Sequence, residues 1–286
     1  MNKKEDLIER IQNCYAHLSK SQKMIAQYIV NNYEKAVFMT SKDIAKELKI
    51  SESTVVRFAS ELGYNGFPEL KTALQEFVKG KLTTLQRLEI TKESNEEKLL
   101  AEVLNLDIGS IKQTLNEVDV GTFKKVVDCI LNARKIYIVG LRTSTVIAEY
   151  MGFYLNLLRD NVIVVKRGVS DLFEQILRVE REDLVIGIGF PRYSRRTVDL
   201  LKYAKSQGAT VIALTDSFIS PLARIADEVL TAKNSIISFV DSLVAPLSLV
   251  NAIVVAVGTR ERETITGVFE KLENIWEEYE VYLTKF

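Results

Sequence analysis

The sequence predicts an α/β protein in which an N-terminal all-α helix–turn–helix domain is followed by a doubly wound parallel-sheet αβα sandwich. Residues 1 to about 118 show only the three-to-four-residue apolar spacing of helices. The remainder alternates short, continuously apolar runs with helical stretches, which is typical of a parallel sheet covered on both faces. The length of 286 residues, 47% of them hydrophobic, is sufficient for two domains with separate cores.

Composition excludes several classes of protein. The 38 basic residues are balanced by 38 acidic ones, so any nucleic-acid binding must come from a local arrangement. Two cysteines and one histidine cannot form a zinc site, and we predict neither a metal nor a cofactor. The N-terminus has no apolar signal-peptide core, and the most apolar stretch, residues 243–257, is short for a membrane span. We therefore expect a cytoplasmic protein without a membrane partner.

The helical half is predicted from capping residues and apolar faces. Ser19, Thr40 and Ser51 each precede a helical pattern, and Asp43 is placed as the acid of a capping box with Thr40. A polar linker is expected at residues 81–98, overlapping the start of a helix from Glu96 to about Asn116. The predicted buried faces are Leu7, Ile8, Ile11 and Tyr15; Ile25, Ile29 and Tyr33; Ile44, Ala45 and Leu48; Val55 and Phe58; and Leu70, Leu74 and Phe77.

Residues 40–62 have the spacing of a helix–turn–helix, whose second helix would enter the major groove of DNA. Hydroxyl groups there can bond phosphates or bases, and Arg57 can fork onto a guanine or a phosphate. Lys49 stands where many such motifs have glycine, and the local charge is balanced, so a plain helical bundle is the alternative. The predicted DNA-binding residues are Thr40, Lys42, Ser51, Ser53, Thr54, Arg57 and Lys71.

The second half is predicted to form a sheet with right-handed crossovers. Its final helix, residues 261–283, carries more apolar surface than a terminal helix needs, which indicates an interface between copies of the chain. The predicted strands are residues 136–139, 162–165, 184–188, 211–214 and 229–230, and the predicted helices between them are residues 146–158, 170–178, 198–207 and 221–226.

Two strand-to-helix turns carry groups that suit an anion. Residues 140–145 combine a glycine, an arginine and three hydroxyl residues at a helix start, and residues 189–197 contain three arginines and a tyrosine. Both follow strands, at the edge where doubly wound folds bind ligands. The alternatives are a simple helix cap at the first turn and a solvated basic loop at the second. The predicted effector-binding residues are Arg142, Thr143, Ser144, Gly189, Arg192, Ser194 and Arg195.

The sequence resembles the RpiR/MurR family of bacterial transcriptional regulators over nearly its whole length. The resemblance lies in "TSKDIAKELKISESTVVRFASELGYNGFPELK" of the helical half, and in "VGLRTSTVIAEY" and "LLKYAKSQGATVIALTDSFISPLARIADEVL" of the α/β half. It implies a helix–turn–helix DNA-binding domain at residues 1–80, a linker and connecting helix at residues 81–118, and a sugar isomerase (SIS) domain at residues 119–286.

The resemblance also implies a function and some site residues. Such proteins bind operator DNA as dimers or tetramers, and a phosphosugar in the SIS domain alters that binding. Ser144 matches the serine that contacts the sugar phosphate, and Ser194 falls where the second loop usually has threonine. Arg142 and Arg192 replace glycines of the two loops, whereas Gly189 and Pro191 replace serines. The pocket has therefore either exchanged hydroxyl donors for guanidinium charge or lost phosphosugar binding.

A sugar-metabolism regulator is the function that the sequence favours, and a phosphosugar isomerase or lyase on the same fold is the alternative. Aldose–ketose isomerisation needs a base and often a histidine. The single histidine, His17, lies in the helical half, and Glu149 and Asp216 are the carboxylates considered in the other half. We therefore expect no enzyme activity. A third interpretation is a sugar-binding oligomer whose helical half only dimerises.

Overall fold

The computed structural model describes residues 7–78, 83–88, 95–236 and 238–283. The chain divides between residues 94 and 95 into two compact units. The N-terminal unit has one apolar core, and the C-terminal unit has two apolar clusters.

The N-terminal unit is helical wherever it is described in regular structure. Ser19 and Thr40 both form capping boxes, as predicted, and their helices bury Ile25 and Ile44 completely. The elements are α1 Leu7–Cys14, a 3-10 turn at Tyr15–His17, α2 Lys20–Asn31, α3 Tyr33–Ala36, α4 Ser41–Leu48, α5 Glu52–Glu61, α6 Phe67–Val78 and α7 Thr84–Leu88.

Two details of this unit differ from the prediction. Tyr33 does not continue the helix of Ile25 and Ile29, because Asn32 leaves helical geometry and Tyr33 begins α3. Residues 84–88 form α7 instead of linker, in keeping with the good helix propensity of leucine, glutamine and arginine. The remaining linker positions before Asn95, residues 81–82 and 89–94, lie outside the described residues apart from Thr83.

The C-terminal unit contains a five-stranded, all-parallel sheet with strand order β2-β1-β3-β4-β5. This arrangement confirms the fold class. Its elements are α8 Glu96–Glu117, α9 Val120–Asn132, β1 Ile136–Gly140, α10 Ser144–Leu158, β2 Val162–Val165, α11 Leu172–Gln175, β3 Leu184–Ile188, α12 Arg195–Ser206, β4 Thr210–Thr215, β5 Glu228–Thr231, α13 Val244–Arg260 and α14 Arg262–Glu278.

The period-two alternation of the strands divides the core into two layers. In β1, Ile136 and Ile138 pack with residues of α9, α10 and α13 on one face of the sheet. Tyr137 and Val139 pack with residues of α11 and α12 on the other face. Both faces are therefore covered, which explains why the strands read as continuously apolar runs.

Two predicted helices of this unit are wrong in extent. Residues 221–225 form turns. The Ser220 hydroxyl accepts from the amide of Ala223, as a helix-capping residue would. A helix does not propagate because strand β5 begins a few residues later. The helix expected at residues 170–178 is only α11, because the amide of Ile176 bonds to Phe173 three residues back and tightens the turn. Helix α9 was not predicted.

Among the described residues, no single helix is long and apolar enough to cross a membrane. Residues 244–260 and 265–278 meet those criteria only together, as a pair bent by 108°.

Candidate functional site

The two predicted ligand-binding turns lie side by side at the carboxyl ends of neighbouring strands. Strand β1 pairs with β3, and Gly140 is the register partner of Ile188. The chain leaves β1 toward β2 at one edge of the sheet and leaves β3 toward β4 on the other side. This is the point where strand order reverses, and such points form the ligand crevice of doubly wound folds.

The first turn, residues 140–145 (the β1 turn), is tightly closed. A Cβ atom at Gly140 would lie 2.5 Å from the carbonyl oxygen of Ser144, so only glycine fits there. The hydroxyl of Thr145 donates to the Gly140 carbonyl at 3.0 Å. Thr143 precedes α10 but makes no side-chain capping bond, whereas Ser144 is the buried first residue of that helix. Capping by Thr143 is therefore not the role of this hydroxyl.

The second turn, residues 189–197 (the β3 turn), gives its polar residues different roles. The Ser194 hydroxyl caps α12 by accepting from the amide of Thr197 at 3.4 Å. Arg195 is 94% exposed, and its Nε lies 3.8 Å from the carboxylate of Asp199. Thr197 is buried, and its hydroxyl has no hydrogen-bond partner within the described chain. Thr197 is not among the predicted effector-binding residues.

Arg142 and Arg192 share an uncommon backbone conformation. Their φ angles are 60° and 64°, in the left-handed region that favours glycine. Both are exposed, and each lies within its turn between a strand end and a helix start. Both positions therefore have a backbone geometry that favours glycine, but each carries a guanidinium group.

A tyrosine–aspartate hydrogen bond fixes the β3 turn to the loop after β4. The Tyr193 hydroxyl donates to Asp216 Oδ1 at 2.7 Å, and the Thr215 hydroxyl donates to the same oxygen at 3.3 Å. Burial and the neighbouring Asp216 charge raise the pKa of Tyr193, so it remains a protonated donor. The sequence placed both residues in strand-end loops, but their pairing depends on the adjacency of β3 and β4.

Gly189 is closely approached by a buried leucine side chain. A Cβ atom at Gly189 would lie 2.9 Å from Cδ2 of Leu222, which is fully buried. A serine hydroxyl at this position would require Leu222 to move. Glycine at this position therefore permits an apolar contact beneath the turn.

The candidate catalytic carboxylates are not equivalent. Asp216 is held by the Tyr193 and Thr215 hydroxyls described above, whereas Glu149 is half-exposed on α10, 3.9 Å from Lys166 Nζ. Among the described residues, no group of three or more histidine, cysteine, aspartate or glutamate side chains could hold a metal ion.

The helix–turn–helix region is formed by α4 and α5. Ala45 of the first helix and Val55 and Phe58 of the second are buried in one core. Lys49 ends α4 with φ at 55°, and the following amide of Ile50 bonds to the Ala45 carbonyl at 2.9 Å. Lys49 thus adopts the left-handed turn conformation for which glycine is the usual residue.

The polar residues at the start of α5 form a hydroxyl cluster. Ser51 Oγ caps α5 through the amide of Thr54 and lies 2.9 Å from Ser53 Oγ and 2.7 Å from Thr54 Oγ1. Arg57 is exposed, and its Nε donates to the Ser53 carbonyl at 3.3 Å, which folds the side chain along the helix. Ser51 therefore has a structural role, while the Arg57 guanidinium lies at the helix surface.

The start of α4 carries the other predicted DNA-binding residues. Thr40 forms hydrogen bonds with Asp43 through both its amide and its hydroxyl, and these lower the pKa of Asp43. The charges of Lys71 and Lys46 lower that pKa further. Lys42 is exposed.

Comparison with known proteins shows to which family the chain belongs. Residues 5–81 match the model of the helix-turn-helix domain of the rpiR family, and residues 129–256 match the SIS domain. An uncharacterized HTH-type transcriptional regulator of Haemophilus influenzae is 30% identical over 238 residues, which cover 82% of each chain. The chain belongs to the RpiR family. It is thus a transcriptional regulator with a helix–turn–helix and a SIS domain, as the sequence predicted.

Solved structures of related proteins show the same folds. The sugar isomerase domain of an RpiR transcription factor from Sphaerobacter thermophilus covers 62% of this chain and 98% of its own, with 33% identity and a TM-score of 0.59. The Vibrio vulnificus NanR protein, complexed with ManNAc-6P, covers 98% of this RpiR-family chain and 100% of its own. Its identity is 19% and its TM-score 0.58, which is a likeness of fold.

Proposed function

We propose that this RpiR-family regulator controls sugar metabolism by sensing a sugar phosphate in the crevice between the β1 and β3 turns. The observation that carries the proposal is the placement of both turns at the point where strand order reverses, with Gly140 and Ile188 in register. Ligands of doubly wound sheets bind at such points. A phosphosugar isomerase on the same fold is the second candidate.

The chemistry of the two turns favours an anion over a neutral sugar. The start of α10 offers backbone amides and the buried Ser144, and the start of α12 offers the unpartnered hydroxyl of Thr197. Arg142 and Arg192 add two positive charges, which form strong charge-assisted hydrogen bonds with phosphate. We place Thr143 at the rim of this site, and Gly189, Ser194 and Arg195 in supporting positions: close packing, helix capping and long-range charge.

Backbone strain supports retained ligand binding rather than its loss. An arginine in the left-handed region is less stable than a glycine there. Arg142 and Arg192, one on each turn, both adopt this conformation. Strained residues are concentrated at binding sites, where function outweighs their cost. Binding of ManNAc-6P by NanR, which has the same fold, is consistent with a phosphorylated sugar here.

The DNA-binding surface is proposed to be the exposed side of α5 together with the start of α4. Arg57 is assigned to a base or a phosphate, with Ser53 and Thr54 beside it, and Lys42 and Lys71 to the phosphate backbone. Thr40 and Ser51 act mainly as helix caps that shape this surface.

A homodimer or homotetramer is the proposed assembly. A symmetric operator requires two recognition helices about one DNA turn apart. Helix α14 and the residues after it expose several large apolar side chains, which a second copy of the chain would cover: Val268, Ile275, Tyr279, Val281, Tyr282 and Leu283.

The isomerase alternative requires a free base in the crevice. Asp216 Oδ1 accepts from the Tyr193 and Thr215 hydroxyls, which hold that carboxylate to the turn, and Glu149 is exposed beside Lys166. We therefore propose sensing without turnover, and the assay for it is interconversion of aldose and ketose phosphates by the purified protein.

Calorimetric titration tests the effector site. The ligands are glucose 6-phosphate, glucosamine 6-phosphate, N-acetylmannosamine 6-phosphate and ribose 5-phosphate, each with its neutral parent sugar. We expect a phosphorylated sugar to bind and its parent not to, and Ser144→Ala and Arg192→Ala to weaken binding. Arg181→Ala is the matched control, because Arg181 is an exposed arginine at the opposite end of β3. Equal binding of the parent sugars, or unchanged binding by both site variants, would refute the site.

A gel-shift experiment tests the DNA surface. With an operator duplex selected from random sequence, Arg57→Ala should cost roughly 1–3 kcal/mol if it reads a base. Lys71→Ala should weaken binding similarly on all sequences and reduce its salt dependence. Lys20→Ala, an exposed lysine on α2, is the control. If Arg57→Ala and Lys71→Ala both bind like the unmodified protein, the proposed surface is wrong.

A further inference from the structure

Helix α8, the first helix of the C-terminal unit, is bonded to the rest of that unit through polar residues. It is the first helix after the division between the two units, so the chain leaving the DNA-binding unit passes directly into it. Its buried residues are Ser110 and Thr114, which lie on one helix face with Asp107. We call these three residues the polar seam. Leu99 and Val103 of α8 are half-buried, and its other large apolar residues are exposed: Leu100, Leu104, Leu106, Ile108, Ile111 and Leu115.

All three residues of the polar seam bond to one segment, the connection between β5 and α13 (the β5–α13 connection; residues 232–236 and 238–243 are described). The hydroxyl of Thr114 accepts from the amide of Lys233 at 2.9 Å. The hydroxyls of Ser110 and Ser235 lie 2.6 Å apart, and Asp107 accepts from the hydroxyl of Ser242. The position of α8 is therefore tied to the position of this connection.

The β5–α13 connection is stiffened by its own hydrogen bonds. The fully buried Asn234 donates through Nδ2 to the Ser242 carbonyl at 2.8 Å, and the amide of Ser242 donates to the Ser235 carbonyl at 2.9 Å. A bridge between Ile236 and Asp241 closes the same loop. These bonds brace the connection between Asn234 and Ser242.

The opposite end of the connection reaches the candidate ligand site. The amide of Ala232 donates to the carbonyl of Thr215 at 2.8 Å. Thr215 precedes Asp216, the acceptor for the Tyr193 hydroxyl at 2.7 Å, and Tyr193 follows Arg192 in the β3 turn. Hydrogen bonds and adjacent residues therefore link the β3 turn to Thr114 of α8 without a gap.

We infer that the β5–α13 connection couples the ligand state of the β3 turn to the position of α8. A ligand that draws Arg192 toward its phosphate moves Tyr193, and the Tyr193–Asp216 bond carries this shift to Thr215, Ala232 and the polar seam. A polar seam suits this task because its groups can exchange partners with water when α8 moves. The inference rests on the proposed function, since it requires a ligand at the β3 turn.

The test separates coupling from binding. DNA affinity of the full chain is measured by fluorescence anisotropy with a selected operator, without and with a saturating concentration of each sugar phosphate named above. We expect the responsive sugar phosphate to change the DNA affinity of the unmodified protein about fivefold or more. Thr114→Val should remove most of this change, whereas its affinity for the sugar phosphate without DNA stays within about twofold of the unmodified protein.

Two further variants control for packing. Thr114→Ser keeps the hydroxyl and should retain the response. Thr259→Val makes the same change in α13 and should respond fully, because within the described part of the chain the Thr259 hydroxyl bonds only to Val255 of its own helix. If Thr114→Val does not fold, Tyr193→Phe is used instead, because it removes the hydrogen bond to Asp216 at the other end of the route. The change in its DNA affinity at a saturating concentration of the sugar phosphate then tests the coupling.

The outcomes distinguish the two proposals. If no sugar phosphate binds the unmodified protein, the proposed function fails and this inference fails with it. If the unmodified protein responds and a folded Thr114→Val or Tyr193→Phe variant responds equally, the sensing function stands and the route through the β5–α13 connection is refuted.

Discussion

Replacing the two left-handed arginines by glycine should stabilise the protein and weaken its ligand binding at the same time. Arg142 and Arg192 have φ angles of 60° and 64°, which disfavour any residue with a Cβ atom. Arg142→Gly and Arg192→Gly remove that cost, and they also remove the two guanidinium groups assigned to the phosphate.

The magnitudes follow from the backbone and the charge. The left-handed conformation costs a non-glycine residue roughly 1–2 kcal/mol. Glycine has greater freedom in the unfolded chain, which offsets about 0.4–1 kcal/mol of the gain. Each substitution should therefore stabilise the C-terminal unit by roughly 0.5–1 kcal/mol, and together they should raise its Tm by about 2–8 °C. Loss of a charged hydrogen bond to phosphate costs about 1.5–3 kcal/mol, or roughly 10- to 100-fold in affinity.

Scanning calorimetry and titration with the responsive sugar phosphate measure the two effects on the same variants. Lys49→Gly is the matched control, because Lys49 has φ at 55° in the N-terminal unit and should gain stability without any change in ligand affinity. A lower Tm for Arg142→Gly and Arg192→Gly would refute the strain argument. Unchanged ligand affinity would refute the role of the guanidinium groups.

Three further predictions concern other parts of the chain. Thr40→Ala should destabilise the N-terminal unit by about 1 kcal/mol and raise the pKa of Asp43 toward its ordinary value, as followed by carboxyl NMR. Because the pKa of Asp43 is lowered in the folded protein, the ionised Asp43 stabilises the fold above about pH 4, and this stabilisation is lost as the pH falls. The free energy of unfolding of Thr40→Ala should therefore depend less on pH below about pH 4 than that of the unmodified protein. Gly189→Ser should destabilise the C-terminal unit by roughly 1–3 kcal/mol in urea unfolding, because Leu222 must move; an unchanged midpoint would contradict the packing. No aldose–ketose interconversion should be detected in a coupled assay, and turnover abolished by Asp216→Asn would favour the enzyme alternative.

Local patterns were sufficient to predict most of the fold. The capping box of Thr40 and Asp43 and the apolar strand ending at Gly140 are encoded within a few residues, and the structure has them as predicted. The helix expected at residues 221–226 failed because the distance to β5, which depends on strand pairing, limits it to turns. Helix α9 was not predicted, although its buried Val126, Val127 and Ile130 have helical spacing.

The candidate site was predictable in its location but not in its internal roles. Strand ends marked both turns, and alternation of strands and helices placed them at one edge of the sheet. The capping role of Ser194 could be expected from its position before α12, but the bond between Tyr193 and Asp216 spans 23 residues and depends on three-dimensional packing. The contact between Gly189 and Leu222 depends on packing in the same way.

The most direct test of sensing is the DNA affinity of the full chain, measured with a selected operator in the presence of each sugar phosphate and its neutral parent. We predict that one phosphorylated sugar changes the affinity about fivefold or more, that its parent has no effect, and that Ser144→Ala and Arg192→Ala need higher concentrations of it. DNA binding that no sugar phosphate alters, or that the neutral parent alters equally, would contradict an anion-sensing crevice between the β1 and β3 turns.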